Sequence, residues 1–175
     1  GINTPEVLAF CSNYMVLEDC GTMVHSFVRK RDIDKSSMKY YLENMISVLS
    51  KIHKSGEFHG GAQTRHFTLL DEKFYVIDFE DSFESSVDLE LLQFRDLLLF
   101  LLSLTKTRAS FEVDYKWVVD EYILKTGNTD FKNRFKLMAS KISFLIYLSQ
   151  IKFVNNLIGR DGKGFFKLFK VLKEL

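Results

Sequence analysis

The sequence predicts an α+β fold that is predominantly helical, and three observations carry that prediction. Only one proline, Pro5, interrupts the 175 residues, so long stretches are free to be helical. Apolar residues recur at spacings of three and four over several segments, the period of a helix face. Seventeen phenylalanines supply large side chains for a core.

The first 21 residues lack the helical period. Residues 7–10 and 14–17 are short apolar runs, and the second leads into Glu18-Asp19-Cys20-Gly21. This pattern reads as two short strands closed by a glycine turn. A short helix is expected over residues 22–29. Met38, Tyr41, Leu42, Met45, Ile46, Leu49 and Ile52 then mark one face of a longer helix, capped by Asp34 or Ser36 and stopped at Gly56. His59-Gly60-Gly61 is a permissive turn, and residues 67–70 and 74–77, parted by Asp71-Glu72-Lys73, form a small hairpin. Residues 89–104 are apolar nearly all round, which places that helix in the middle of the fold. Helices over residues 113–125, 131–158 and 165–175 complete the chain, with Gly127 and Gly159 as stops.

Composition narrows the function classes. Twenty-four basic and 23 acidic residues leave a net charge of +1, so nucleic acid is not an expected partner. Cys11 and Cys20 stand alone, with no CxxC, and describe neither a disulfide framework nor a zinc site. No apolar run reaches membrane-span length, and the start has no basic segment leading into an apolar one. A cytoplasmic protein is the expectation. The end of the chain, with Lys163, Lys167, Lys170 and Lys173 between apolar residues, reads as a final helix docked on the core. Peripheral membrane contact through residues 163–175 is the alternative.

Three motifs carry chemistry: Tyr14-Met15-Val16-Leu17-Glu18-Asp19-Cys20-Gly21, then His59-Gly60-Gly61-Ala62-Gln63-Thr64-Arg65-His66, then Tyr75-Val76-Ile77-Asp78-Phe79-Glu80. Their order, followed by a buried helix, resembles the protein kinase-like superfamily over about residues 5–104. The style is that of bacterial lipopolysaccharide-core sugar kinases and of the KEOPS-complex and RIO kinases. The resemblance implies a kinase-like C-lobe with the last strands of an N-lobe: residues 1–21 as the end of the N-lobe and the hinge, residues 22–175 as the helical C-lobe. It implies ATP and Mg2+ as cofactors. The reaction it implies is phosphate transfer to a hydroxyl on a sugar, a lipopolysaccharide-type molecule or a protein.

Residue by residue, the resemblance assigns Leu17, Glu18 and Cys20 to cofactor binding. The Glu18 carbonyl and Cys20 amide would meet the adenine edge, and Leu17 would guard the pocket behind. Asp78 is the metal ligand of the Asp-Phe-Gly-like motif, with Glu80 in place of glycine and Asp81 beside it. Gly61 stands where the family has its catalytic aspartate, and His66 where it has a metal-binding asparagine. Glycine can neither orient a hydroxyl nor accept its proton, and magnesium prefers oxygen ligands to imidazole. Gln63 as an oxygen donor and His59 or His66 as a base are the candidate substitutes, His59 having the alternative of packing structurally behind the loop. Asp96, or else Asp88, would accept hydrogen bonds from the loop backbone. The glycine-rich loop and strand lysine of a working kinase are expected upstream of these motifs, in a longer natural protein, or else to have been discarded. Gly61 and His66 point to the alternative, a pseudokinase serving as a nucleotide-sensing or protein-binding module, and a third reading is an unrelated helical interaction domain.

Overall fold

The computed structural model describes residues 1–79, 86–143 and 160–175, and within them the fold is α+β. Strands β1 (Val7–Phe10) and β2 (Met15–Leu17) pair antiparallel as a ribbon of their own. Their apolar side chains are exposed, Phe10 at 77%. A second sheet has the order β3 (Thr22–Met23), β4 (Phe67–Leu70), β5 (Lys73–Val76), antiparallel throughout. The segment before β1 runs along this sheet, where the Asn3 side-chain amide donates to the Phe74 carbonyl at 3.0 Å and the Val76 N–H donates to the Asn3 carbonyl at 3.0 Å.

The helix expected over residues 22–29 is therefore shorter. Thr22 and Met23 pair with Leu69 and Thr68, and helix α1 is Val24–Val28. Gly21, at φ +78°, turns the chain from the β2 end onto β4. Helix α2 (Lys35–Lys54) is capped by Asp34, whose carboxylate accepts the Ser37 N–H at 2.8 Å, and Gly56 follows its end at φ +81°.

Helix α3 (Leu89–Leu104) is the central element, with Leu97, Phe100 and Leu101 wholly buried. Helix α4 (Tyr115–Thr126) begins two residues later than expected because the Asp114 side chain caps it through the Trp117 N–H, at 2.9 Å. It ends at Gly127, in the left-handed conformation. Helix α5 (Asp130–Lys141) accounts for the first part of the run expected over residues 131–158, and residues 144–158 and the Gly159 stop lie outside the described residues. Rings of Phe94, Phe131, Phe135 and Tyr122 join α3, α4 and α5, with centroids 4.6 to 5.9 Å apart.

Helix α6 (Arg160–Lys173) starts ahead of the expected Phe165, and Gly162 and Gly164 lie within it. Gly164 sits where α6 meets the end of α3: a Cβ there would stand 2.9 Å from the Thr105 Cβ and 3.0 Å from its carbonyl oxygen. Leu168, Phe169 and Leu172 are buried against the core, and Lys167 pairs with Glu112. The apolar face of this helix is thus occupied by the protein interior. No helix among the described residues is long and apolar enough to cross a membrane.

Candidate functional site

The site is organised by one buried carboxylate. Asp96 is inaccessible to solvent on α3, and its Oδ2 accepts the His59 N–H at 2.6 Å, the Gly60 N–H at 3.3 Å and the His53 imidazole at 3.3 Å. Its Oδ1 accepts the Ala62 N–H at 3.4 Å. Burial alone would push this carboxyl up, but the bonds from His53 and the His59 backbone more than offset it and hold the group below the ordinary carboxylate value. The Arg95 guanidinium donates to the Gly60 carbonyl, and Gly60 adopts φ +89°. Loop 59–62 is thereby clamped to the central helix. Asp88, the other candidate for this task, caps α3 through the Glu90 N–H at 3.1 Å.

His59 ties the loop to the end of the β4–β5 hairpin. Its Nε2–H donates to the Ile77 carbonyl at 3.0 Å, and its Nδ1 accepts the Gly61 N–H at 3.3 Å, which fixes the tautomer. The ring stacks on Phe79 at 4.6 Å and on His66 at 5.4 Å. Burial is the main reason its pKa lies below the ordinary histidine value, so the ring is neutral near pH 7. Both ring nitrogens are thus engaged by the backbone, an arrangement that matches the alternative of packing behind the loop.

Asp78 follows directly. It stands at φ +70°, a conformation that costs a non-glycine residue about 1–2 kcal/mol, and its side chain is 37% exposed. Its Oδ2 lies 2.9 Å from His66 Nε2. The same nitrogen is 2.9 Å from the Arg65 Nε, and His66 Nδ1 lies 2.8 Å from the Gly61 carbonyl. With Nδ1 carrying a proton for Gly61, Nε2 either accepts from Arg65 when the ring is neutral or donates to Asp78 when it is charged.

The two nitrogens of His66, expected as a metal ligand, are thus both engaged, one by the loop backbone and the other between a guanidinium and the Asp78 carboxylate. Among the described residues no three His, Cys, Asp or Glu side chains gather into a metal-holding group. Glu80 and Asp81 lie outside the described residues.

Asp78 and the turn after β2 face one cleft of about 770 Å³, whose lining includes Leu17, Glu18, Cys20, Gly21, His66 and Asp78. The sequence motifs at 17–21 and at 78 thus meet in space. Among the described residues the Glu18 carbonyl accepts the weak thiol donor of Cys20, at 3.6 Å. Gly21 is anchored by the Asp19 carboxylate, which accepts its N–H at 2.8 Å. Cys20 is nearly buried, and desolvation, with Glu18 and Asp19 nearby, raises its thiol pKa, so it is a poor nucleophile.

Two expected residues are placed differently. Gln63 does not line this cleft; it lines a smaller cavity of about 170 Å³ behind it, because residues 64–66 form a single 3-10 turn that directs successive side chains apart. Gly61 lies beside the His66 ring, which a Cβ would meet at an ordinary 3.7 Å, and its φ is not left-handed. Neither space nor backbone conformation demands glycine at this position. Arg65, to which the sequence motifs gave no role, lines the cleft beside Glu18, Asp19 and Asp78 as the one arginine or lysine among the described residues there. A further groove of about 440 Å³ beside α2, lined by Met38, Phe111 and Trp117, holds none of the motif residues. Compared with family models, curated proteins and solved structures, the chain matches none.

Proposed function

We propose that the cleft binds a nucleotide and that the chain is a kinase-like binding module that does not itself transfer phosphate. The observation that carries this reading is the placement of residues 17–21 and Asp78 on the lining of one cleft. The buried Asp96 network supports it, since it gives loop 59–62 a fixed position relative to both. Against catalysis stand Gly61, which offers no side chain, and the commitment of both His59 nitrogens to the backbone. General base catalysis requires a group within reach of the proton it removes.

The donor set fits a magnesium ion only when the ligand supplies most of the oxygens. Asp78 would hold it through the carboxylate oxygen that does not face His66. The ion would neutralise phosphate charge that Glu18, Asp19 and Asp78 would otherwise repel. His66 takes no part.

Thermal unfolding distinguishes the parts of this proposal. Adenosine is expected to raise the Tm of the wild type and of Asp78→Ala equally, because the turn reads the base. ADP is expected to raise Tm in the wild type only when magnesium is present, by about 5–10 °C at about a hundredfold over Kd. Asp78→Ala should abolish that magnesium dependence. A Tm indifferent to all three ligands would overturn the proposal, and phosphate transfer to water or to an added hydroxyl would overturn its non-catalytic half.

A further inference from the structure

Behind the cleft, on the far side of residues 64–66, cationic side chains from three separated segments converge. The small cavity of about 170 Å³ is lined by His25 of α1 and Arg29 at its C-terminal cap, by Gln63, Thr64 and Arg65 of the loop, and by Lys106 after α3. A neighbouring cavity of about 410 Å³ shares His25 and Arg29 and adds Lys30, Arg31 and Arg108. No acidic side chain lines either one. None of these six lysines and arginines forms a salt bridge with an acidic side chain among the described residues.

The arrangement is more than a solvated basic face. The Arg29 guanidinium donates to His25 Nε2 at 3.0 Å, so His25 Nδ1 carries the proton and donates to the Thr64 hydroxyl at 3.0 Å. The Thr64 N–H is held by the Ser103 hydroxyl at 3.1 Å, which fixes the loop against α3. A neutral imidazole thus orients one guanidinium beside the cavity, while Arg65 and Lys106 approach from other elements. Burial first, and then the positive charges of Arg29, Lys106 and Arg65, hold His25 below the ordinary histidine pKa. Like charges gathered without counter-charge repel, and a bound anion relieves that repulsion. Guanidinium forks and hydroxyl donors suit a tetrahedral oxyanion.

We propose that this pocket binds a phosphate group, free or carried by a small phosphorylated molecule. Arg65 lines both this cavity and the cleft of Asp78, so an oxyanion here lies next to any ligand held there. The inference does not depend on the nucleotide reading, since none of its ligating groups belongs to the 17–21 turn.

The test is a titration of the whole chain with inorganic phosphate at constant ionic strength, following the His25 ring signals by NMR. A saturable shift is expected, together with a rise in the His25 pKa as the anion offsets its cationic neighbours. The double variant Arg29→Gln/Lys106→Gln should weaken binding at least about tenfold, whereas Lys136→Gln on the exposed face of α5 should titrate as wild type. If the first variant proves unfolded by circular dichroism, Arg65→Gln/Lys106→Gln, both at exposed positions, takes its place.

Two further arms separate the sources. Glycerol phosphate moving His25 alone indicates a phosphorylated small molecule, and AMP moving His25 and Cys20 together indicates the phosphate of a ligand seated in the cleft. Either supports the site. A His25 response that chloride reproduces at equal ionic strength, or one unchanged in the double variant, overturns it.

Discussion

Asp96→Ala is expected to destabilise the protein by about 3–5 kcal/mol, a large share of the whole stability of a domain this size. The change leaves the N–H groups of His59, Gly60 and Ala62 buried without their acceptor, and it strips the His53 ring of a partner. Each such orphaned donor costs about 1–3 kcal/mol. Urea unfolding of the purified variant checks the figure, and hydrogen exchange at residues 59–62 checks its location. A loss under about 1 kcal/mol would mean the loop is held by something else.

The same network sets an acid limit. The Asp96 carboxyl is held below its unfolded value, so its stabilising contribution is complete above about pH 4 and is lost as pH falls through the folded value. His59 and His25 act earlier. Their folded values are lowered, mainly by burial, so the unfolded chain takes up protons the native one refuses. Stability should therefore decline first as pH drops below about 6.5 and again below about 4, and Asp96→Asn should make the second step smaller, with Asp34 and Asp130, whose values are also lowered by hydrogen bonds, carrying the rest.

Gly21→Ala is the second large effect, with an expected cost of about 2–5 kcal/mol. At φ +78° an alanine is disfavoured by about 1–2 kcal/mol, and its Cβ would stand 2.3 Å from the Leu69 carbonyl oxygen, a backbone atom that cannot move aside alone. Overpacking of this kind adds about 1–3 kcal/mol. Gly56→Ala is the control: φ is +81° there, but nothing lies within 4 Å of the added carbon. The difference in unfolding free energy between the two variants isolates the steric part, and equal effects would show that the turn does not press on β4 as described. Because Gly21 also lines the cleft, its variant should lose adenosine binding in step with its stability.

The elements with sustained periodicity were legible in the sequence. Met38 to Ile52 and Leu89 to Leu104 display the helical period or a continuous apolar surface, and their caps and stops are chemically explicit. Strand β3 was not legible, since two residues carry no alternation and Thr22 and Met23 are drawn into the sheet by β4. The start of α6 was misread because glycine at 162 and 164 signals a break by propensity, while Gly164 in fact answers a close approach to Thr105.

The cleft residues Leu17, Glu18, Cys20 and Asp78 were singled out by the resemblance, whose motifs run from short apolar strands into the turns that follow them. Gln63 could not be placed, because spacing does not reveal which way a side chain leaves a 3-10 turn. The basic pocket behind the loop was invisible for a related reason. Arg29, Arg65 and Lys106 are remote in sequence, and a chain with almost balanced charge hides a local excess.

Amide chemical-shift mapping of the full chain tests the central assignment most directly. Adenosine should move the signals of residues 17–21, and magnesium with ADP should move those of His66, Asp78 and Phe79 in addition. Shifts gathered instead around Trp117 in the groove beside α2, or none at saturating ligand, would contradict the account.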